Sequence, residues 1–348
     1  DKGWEYNDLP NLRRRGKSIR WELAAQLPAD ENGIGGGRYH YMVSLQGRRH
    51  LGVGQERLEW DSPDEGGVLL LFRRGRQIMQ LDRAAGKLER LRAVGLPASV
   101  MSQMDPESEA DRKRYPEMLR FRGWVESIRS YLIWDPKVLR NPDRGKPAEL
   151  GSSGEHLAGL IGKMKDRQPE AFERLKRRIR RLFPTVTDIS VSGRGWGWRE
   201  LKLHEGNGKE VIFNSRQMSD GVLRLLAICT LLYLDRIPPV IMLEEPENGV
   251  HPQLVREVVQ ILRELTQRKG PNQCQVFFTT HSPYVLDEFY DHPEEVYCVE
   301  RPKPLAGATV TRLSENKQIH VVRDVFDKSL GEAWATGVLG ASAGLRVR

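Results

Sequence analysis

The stretch Pro239-Val-Ile-Met-Leu-Glu-Glu-Pro-Glu-Asn-Gly-Val-His-Pro252 restricts the fold more than any other part of the chain. Its four apolar residues, Val240 to Leu243, predict a strand buried on both faces, with Glu244 and Glu245 at the carboxyl end. The segment Val276-Phe-Phe-Thr-Thr-His-Ser-Pro283 has the same design, a buried strand within Gln275 to Thr280 that ends in polar residues with His281 at its tip. Residues 220 to 234 and Pro252 to Gln267 read as helices before each of these strands. Strand and helix in alternation imply parallel strands joined by helical crossovers, hence an α/β core. In open sheets of that kind ligands bind at the carboxyl ends of the strands.

The rest of the chain divides by character. Ile19 to Leu27, Arg38 to Leu45 and Val68 to Phe72 are short strand-like runs between turn clusters, so residues 1–96 read as a β-rich lobe. Residues 97–184 read as an inserted helical lobe, with Tyr115 to Tyr131 and Pro169 to Phe183 its clearest helices. In the second, Phe172, Leu175, Ile179 and Leu182 fall at helical spacing among basic residues. Strands return at Val186 to Val191, Glu200 to His204 and Glu210 to Phe213 and open an α/β core over 185–300, which leaves 301–348 as a C-terminal extension. No internal repeat and no long heptad run interrupts this plan.

Composition removes several classes. The 348 residues bury enough surface to need no staple, and an ordinary apolar content excludes a disordered or fibrous chain. Cys229, Cys274 and Cys298 have no metal-type spacing and leave an odd thiol, which fits a reducing cytoplasm. The longest apolar run, Leu225 to Leu234, is half the length of about 20 residues that a bilayer span needs, so no membrane partner is expected. A net charge of +8 makes an anionic partner plausible.

Paired carboxylates at the end of a core strand are costly unless a cation or a reacting water uses them. In a nucleotide site the first, Glu244, would hold Mg²⁺ and the second, Glu245, would orient and deprotonate the attacking water. A strand followed by a solvated acidic turn would also account for the pair. His281 falls beside Glu245 if the two strands are neighbours, where it could donate to a terminal phosphate oxygen or a water; a structural hydrogen bond is the plainer alternative. Met218-Ser-Asp-Gly221 stands directly before the apolar helix, so Ser219 is a good N-cap, worth about 1 kcal/mol as structure alone. The same helix start is also an anion site, because its free N–H groups point outward and glycine allows close approach.

In this order and spacing, the three segments resemble the C-terminal half of an ABC-type ATPase head of the RecF and SMC kind, specifically the AAA-type ABC ATPases of bacterial defence and repair loci. Met218 to Gly221 resembles the signature motif, Glu244 and Glu245 the end of Walker B, Glu247 to His251 the D-loop, and His281 the switch histidine. Arg114-Tyr-Pro-Glu117, Gly154 to Leu160 and Ser329-Leu-Gly-Glu-x-Trp-x-x-Gly337 extend the resemblance over most of the chain. It implies a P-loop-type mixed sheet, ATP and Mg²⁺ as cofactors, and a homodimer that sandwiches ATP, with higher oligomers open. Ser219, Asp220 and Gly221 of one subunit would meet the γ-phosphate bound by the other, with Glu247 and Asn248 nearby. Glu244 departs from the aspartate usual in the family, and its extra methylene could shift the Mg²⁺ shell.

A P-loop reads G-x-x-x-x-G-K-[ST] between a strand and a helix. Gly16-Lys17-Ser18 fails that pattern, since Asn11 holds the first glycine's place and a strand follows, so the expectation is a chain that begins after the P-loop; the alternative is a variant that has lost ATP binding. Lys163 to Arg181 holds nine basic and three acidic residues, which offers Arg177, Arg178 and Arg181 as nucleic-acid contacts against the plainer solvated helix face. Arg13, Arg14, Arg15, Lys17 and Arg20 form a second basic cluster. After His281 no nuclease-type carboxylate cluster follows, which argues against the family branch with a fused Toprim nuclease and leaves a resemblance to the OLD-related class without one. The favoured expectation is an ATPase that governs a separate effector, a nuclease, in phage defence. A RecF-like repair clamp on DNA and a catalytically silent scaffold are the alternatives.

Overall fold

The computed structural model describes residues 19–30, 33–46, 52–92, 98–131, 135–145, 147, 149–193, 196–206, 208–300, 308–319, 322 and 325–339. Gly16-Lys17-Ser18 and the basic residues Arg13, Arg14, Arg15 and Lys17 lie outside them. The chain forms two compact units, divided between Ser127 and Ile128.

The first unit is a six-stranded antiparallel meander, β1 (Ile19–Leu27), β2 (Gly37–Gln46), β3 (Gly52–Ser62), β4 (Gly66–Arg74), β5 (Gln77–Asp82) and β6 (Lys87–Arg92), each paired with the next. One face of the meander buries Tyr39, Leu58 and Leu71, and helices α1 (Glu109–Arg114) and α2 (Pro116–Glu126) belong to the same unit. Tyr39 stacks on Phe121 of α2 with ring centroids 5.2 Å apart. The fully buried Glu56 is satisfied by Tyr41 Oη at 3.0 Å, Ser99 Oγ at 2.5 Å and the Val100 N–H at 2.8 Å. Arg114 and Glu117 have structural work here: Arg114 donates to Asp82 at 2.7 Å, and Glu117 accepts from Arg83 at 2.9 Å.

The second unit is built on a parallel sheet. β7 (Arg129–Tyr131), β12 (Val240–Glu244) and β13 (Gln275–Thr279) run in the order β13, β12, β7, with Leu243 opposite both Phe278 and Tyr131. Helices α6 (Asp220–Leu232) and α7 (Val255–Thr266) supply the crossovers and much of the core, with Leu225, Ile228 and Ile261 fully buried. The expectation that both apolar runs are covered on two faces is corrected: Met242 is 39% exposed and Phe277, its register partner, is 51% exposed. Ile241 and Leu243 on the other face are buried, so one side of this sheet is packed within the unit.

Between β7 and α6 lie α3 (Pro136–Leu139), β8 (Asp143–Arg144), α4 (Leu157–Arg167) and α5 (Pro169–Leu182), then β9 (Val186–Gly193), β10 (Trp198–Glu205) and β11 (Val211–Asn214). β9 lines one edge of β10; β8 and β11 share the other edge, near its start and its end. After β13 come α8 (Pro283–Asp287) and the pair β14 (Tyr297–Glu300) and β15 (Thr309–Arg312). The helix Leu330–Ala335 docks on α8, where Asp287 accepts from the Gly331 N–H at 2.8 Å and Ser329 Oγ at 3.0 Å. Among the described residues no helix is long and apolar enough to cross a membrane.

α5 corrects one candidate. Its apolar stripe, Phe172, Leu175, Ile179 and Leu182, is buried as the spacing predicts, and Arg178 is buried with it and ion-paired to Glu264 of α7. A guanidinium committed to that pair cannot face a nucleic acid. Arg177 is exposed; Arg181 is 61% exposed and 3.3 Å from Glu257.

Burial pushes the Cys229 and Cys274 thiols up to about 12. Both should react with a thiol reagent only at the rate of unfolding, which a time course in native buffer and in denaturant would measure. A fast native reaction at either would contradict its burial.

Candidate functional site

The site stands at the carboxyl end of β12 and β13. Glu244 closes β12 with an exposed side chain. Glu245 follows with a left-handed backbone, φ 42°, an uncommon geometry for a residue with a Cβ. The surroundings hold it there: its N–H donates to the Thr279 carbonyl at 3.0 Å, and its own carbonyl accepts from the Asn248 N–H at 3.0 Å. That turn lifts the Glu245 carboxylate toward His281, whose Nε2 lies 3.6 Å from Oε1. The parallel pairing of β12 with β13 is what brings the two together.

Behind the exposed pair the turn is anchored. Glu247 is buried; its Oε1 accepts from Thr280 Oγ1, and its Oε2 has no hydrogen-bond partner among the described residues. Thr280 Oγ1 in turn accepts from the Ser282 N–H at 3.0 Å, so the loop that presents His281 is tied to the loop that presents Glu245. Asn248 is exposed on the same turn.

The start of α6 forms the third side. Ser219 caps the helix, its hydroxyl accepting from the Val222 N–H at 3.3 Å. Arg140, just after α3, donates to the Met218 carbonyl at 3.0 Å and also bonds Asp220, while its own carbonyl accepts from Ser215 Oγ at 2.6 Å. Gly221 packs flat on the Glu247 turn: a Cβ on it would stand 2.7 Å from the Gly249 carbonyl oxygen. Gly221→Ala should therefore push the two loops apart and lower the melting temperature, whereas Ser219→Ala should remove only the cap, about 1 kcal/mol. Thermal unfolding of both variants tests this, and a Gly221→Ala protein as stable as the parent would deny the contact.

Arg224 was not singled out by the motifs, yet it lines a small cleft with Tyr131, Glu244 and Glu245. Its buried Nε has no hydrogen-bond partner among the described residues, and desolvation lowers the guanidinium's affinity for its proton. The signal in the sequence is that Arg224 is the one charged residue between Val222 and Leu234. Arg140 and Thr280 were also missed, since each acts through contacts that local pattern does not show. The site residues thus converge from three loops, while Arg177 and Arg181 on α5 stand outside it.

These groups fit one half of a magnesium nucleotide site. The exposed carboxylate of Glu244 suits a hard cation, and the Arg224 guanidinium, whose Nε has no hydrogen-bond partner among the described residues, suits an anion. Among the described residues none forms a glycine-rich phosphate cradle with a Gly-Lys-Ser/Thr ending.

Residues 67–287, more than half of the chain, match the model of the family described as "AAA domain, putative AbiEii toxin, Type IV TA system". The chain belongs to this AAA-domain family. It is also 28% identical over 96 residues to the energy-coupling factor transporter ATP-binding protein of Methanospirillum hungatei, covering 28% of this chain and 32% of that one. The chain thus spans about a third of that curated relative. Among solved structures it is similar to one from work on ATP-driven dimerization and DNA stimulated activation of SMC ATPases, with a TM-score of 0.33 and 15% identity over 47% of this chain and 97% of the other. Another is an SMC head bound to the C-winged helix domain of ScpA, with a TM-score of 0.40 and 12% identity over 82% and 78%.

Proposed function

We propose that this AAA-family chain is an ATP-hydrolysing ABC-type head that pairs with a second copy around nucleotide and passes that state to a separate effector protein, a nuclease, in phage defence. The observation that carries the reading is the convergence of Glu245 and His281, 3.6 Å apart, with Glu244 at the carboxyl end of neighbouring parallel strands. ATP with Mg²⁺ supplies the electrophilic phosphoryl group. Glu244 would hold the metal, directly or through water. The Glu245 carboxylate accepts the proton of the attacking water, and its constrained backbone keeps the acceptor in place without reorganisation. His281 donates from its imidazole to a terminal phosphate oxygen. Ser219 and Gly221 face the phosphate bound by the second copy, where the start of α6 offers N–H groups and positive dipole. Asp220, Glu247 and Asn248 hold that surface in shape.

The test is the mass of the full-length protein by analytical ultracentrifugation with and without ATP and Mg²⁺. A dimer that forms only with nucleotide, and that Ser219→Arg abolishes, is the expected result. Tight, salt-dependent DNA binding that requires ATP and no partner protein would favour the repair-clamp alternative. One that binds no nucleotide at all would favour the silent scaffold.

A further inference from the structure

The hairpin of β9 and β10 ends in two exposed tryptophans. Trp196 is 87% exposed and Trp198 is 40% exposed. Trp196 also has a left-handed backbone, φ 50°, which a bulky residue rarely adopts, and Gly197 beside it has φ 80°. Neither indole stacks on another ring among the described residues. Two large apolar side chains exposed together, one of them on a strained backbone, mark a candidate interaction surface.

What surrounds them narrows the use. Trp198 stands opposite Arg144 in the pairing of β10 with β8. Arg144 is exposed, and its guanidinium has no ion-pair partner among the described residues. It also lines a cavity of about 680 Å³ with Arg129, Ser130, Ser152 and His156, a volume in the range of small-ligand pockets. Glu149 is ion-paired to Arg129 at 2.6 Å and Asp143 lies 3.1 Å from His156, which leaves Arg144 as the wall cation with no ion-pair partner among the described residues. A tryptophan that anchors a protein partner sits in an apolar patch ringed by contacts that exclude water. Here Trp198 lies beside Arg144, and the cavity wall sets the hydroxyls of Ser130 and Ser152, the His156 imidazole and Arg144 among the apolar Tyr131, Pro147 and Leu150. Exposed π-faces beside an unpaired guanidinium are the means by which unpaired bases and their phosphates are held.

We infer that the end of the Trp196–Trp198 hairpin and the cavity walled by Arg144 form a binding site for single-stranded nucleic acid, in which bases stack on the indoles and a backbone phosphate pairs with Arg144. The site uses none of Glu244, Glu245 or His281, though its wall shares Tyr131 with their cleft, and it stands whether or not the chain hydrolyses ATP. It also assigns nucleic-acid contact to β8 and β10 in place of the basic helix α5.

The experiment is fluorescence anisotropy of a labelled oligothymidylate with the full chain, over a series of salt concentrations. Binding is expected, with quenching of the intrinsic tryptophan emission. Trp196→Ala and Trp198→Ala should each weaken it roughly tenfold, the loss of one stacked base. Arg144→Gln should weaken it and lower the salt slope by about 0.7, one single-strand phosphate. Trp196 is exposed, so an unchanged melting temperature will show that its variant is folded. No binding of the oligothymidylate, equal affinity in the folded Trp196→Ala protein, or stronger retention of a duplex than of the single strand would each overturn the site. A Trp196→Ala protein that loses a protein partner and keeps its affinity for the oligonucleotide would overturn it too.

Discussion

Glu245→Gln should reduce ATP turnover by the full-length protein by about 10² to 10⁴-fold, the usual worth of a positioned general base, while leaving nucleotide binding in place. The amide keeps the size and the hydrogen bonds of the turn but accepts no proton. The backbone of residue 245 is held by Thr279 and Asn248, so the substituted side chain should occupy the same position and the melting temperature should not fall. Glu244→Gln is the informative companion. A loss of the same size that excess Mg²⁺ partly restores would separate metal holding from proton transfer. Turnover unchanged in the Glu245→Gln protein would remove this carboxylate from the chemistry and the ATPase reading with it.

Arg178→Ala should cost about 3 kcal/mol of stability, the low end for breaking a buried ion pair, because Glu264 keeps 31% of its side chain in water. The loss is of two kinds, an uncompensated carboxylate on α7 and a gap in the stripe between α5 and α7. Arg177→Ala, one position earlier and exposed, should change stability by no more than about 0.5 kcal/mol. Urea denaturation of the pair of variants measures the contrast. Equal stabilities would mean that the guanidinium of Arg178 is not committed to Glu264.

The same helix shows what could be read from the sequence. The spacing of Phe172, Leu175, Ile179 and Leu182 identifies the buried face, and position 178 lies on that face, three residues beyond Leu175 and four before Leu182. The density of charge around it concealed the placement. The apolar runs at β12 and β13 were legible because four and three apolar residues in sequence between turn signals have few other uses, and the carboxylates and histidine that follow them were legible for the same reason. That only one face of the sheet is covered was not legible, since a run of apolar residues looks the same whether one side or two is packed. In the first unit β3, β5 and β6 went unseen: the buried face of β5 carries Gln80 and Asp82 beside Ile78, and in β6 Leu88 and Leu91 are three apart and exposed, so neither of these two runs shows the alternation of a half-buried strand. β7, with Arg129, Ser130 and Tyr131, is defined by its neighbour β12 and carries no pattern of its own.

The seat of Gly221 on the Gly249 carbonyl has a mechanical meaning. In a pair of copies arranged as proposed, the start of α6 would serve one nucleotide and the carboxylate turn of the same chain would serve the other. With only 2.7 Å between an added carbon and that oxygen, the two loops are in close contact at Gly221. Each copy then acts as a rigid yoke between two catalytic events. Occupancy on one side alters the geometry on the other, and the pair should fire as a coupled unit, with turnover rising more steeply than hyperbolically with ATP.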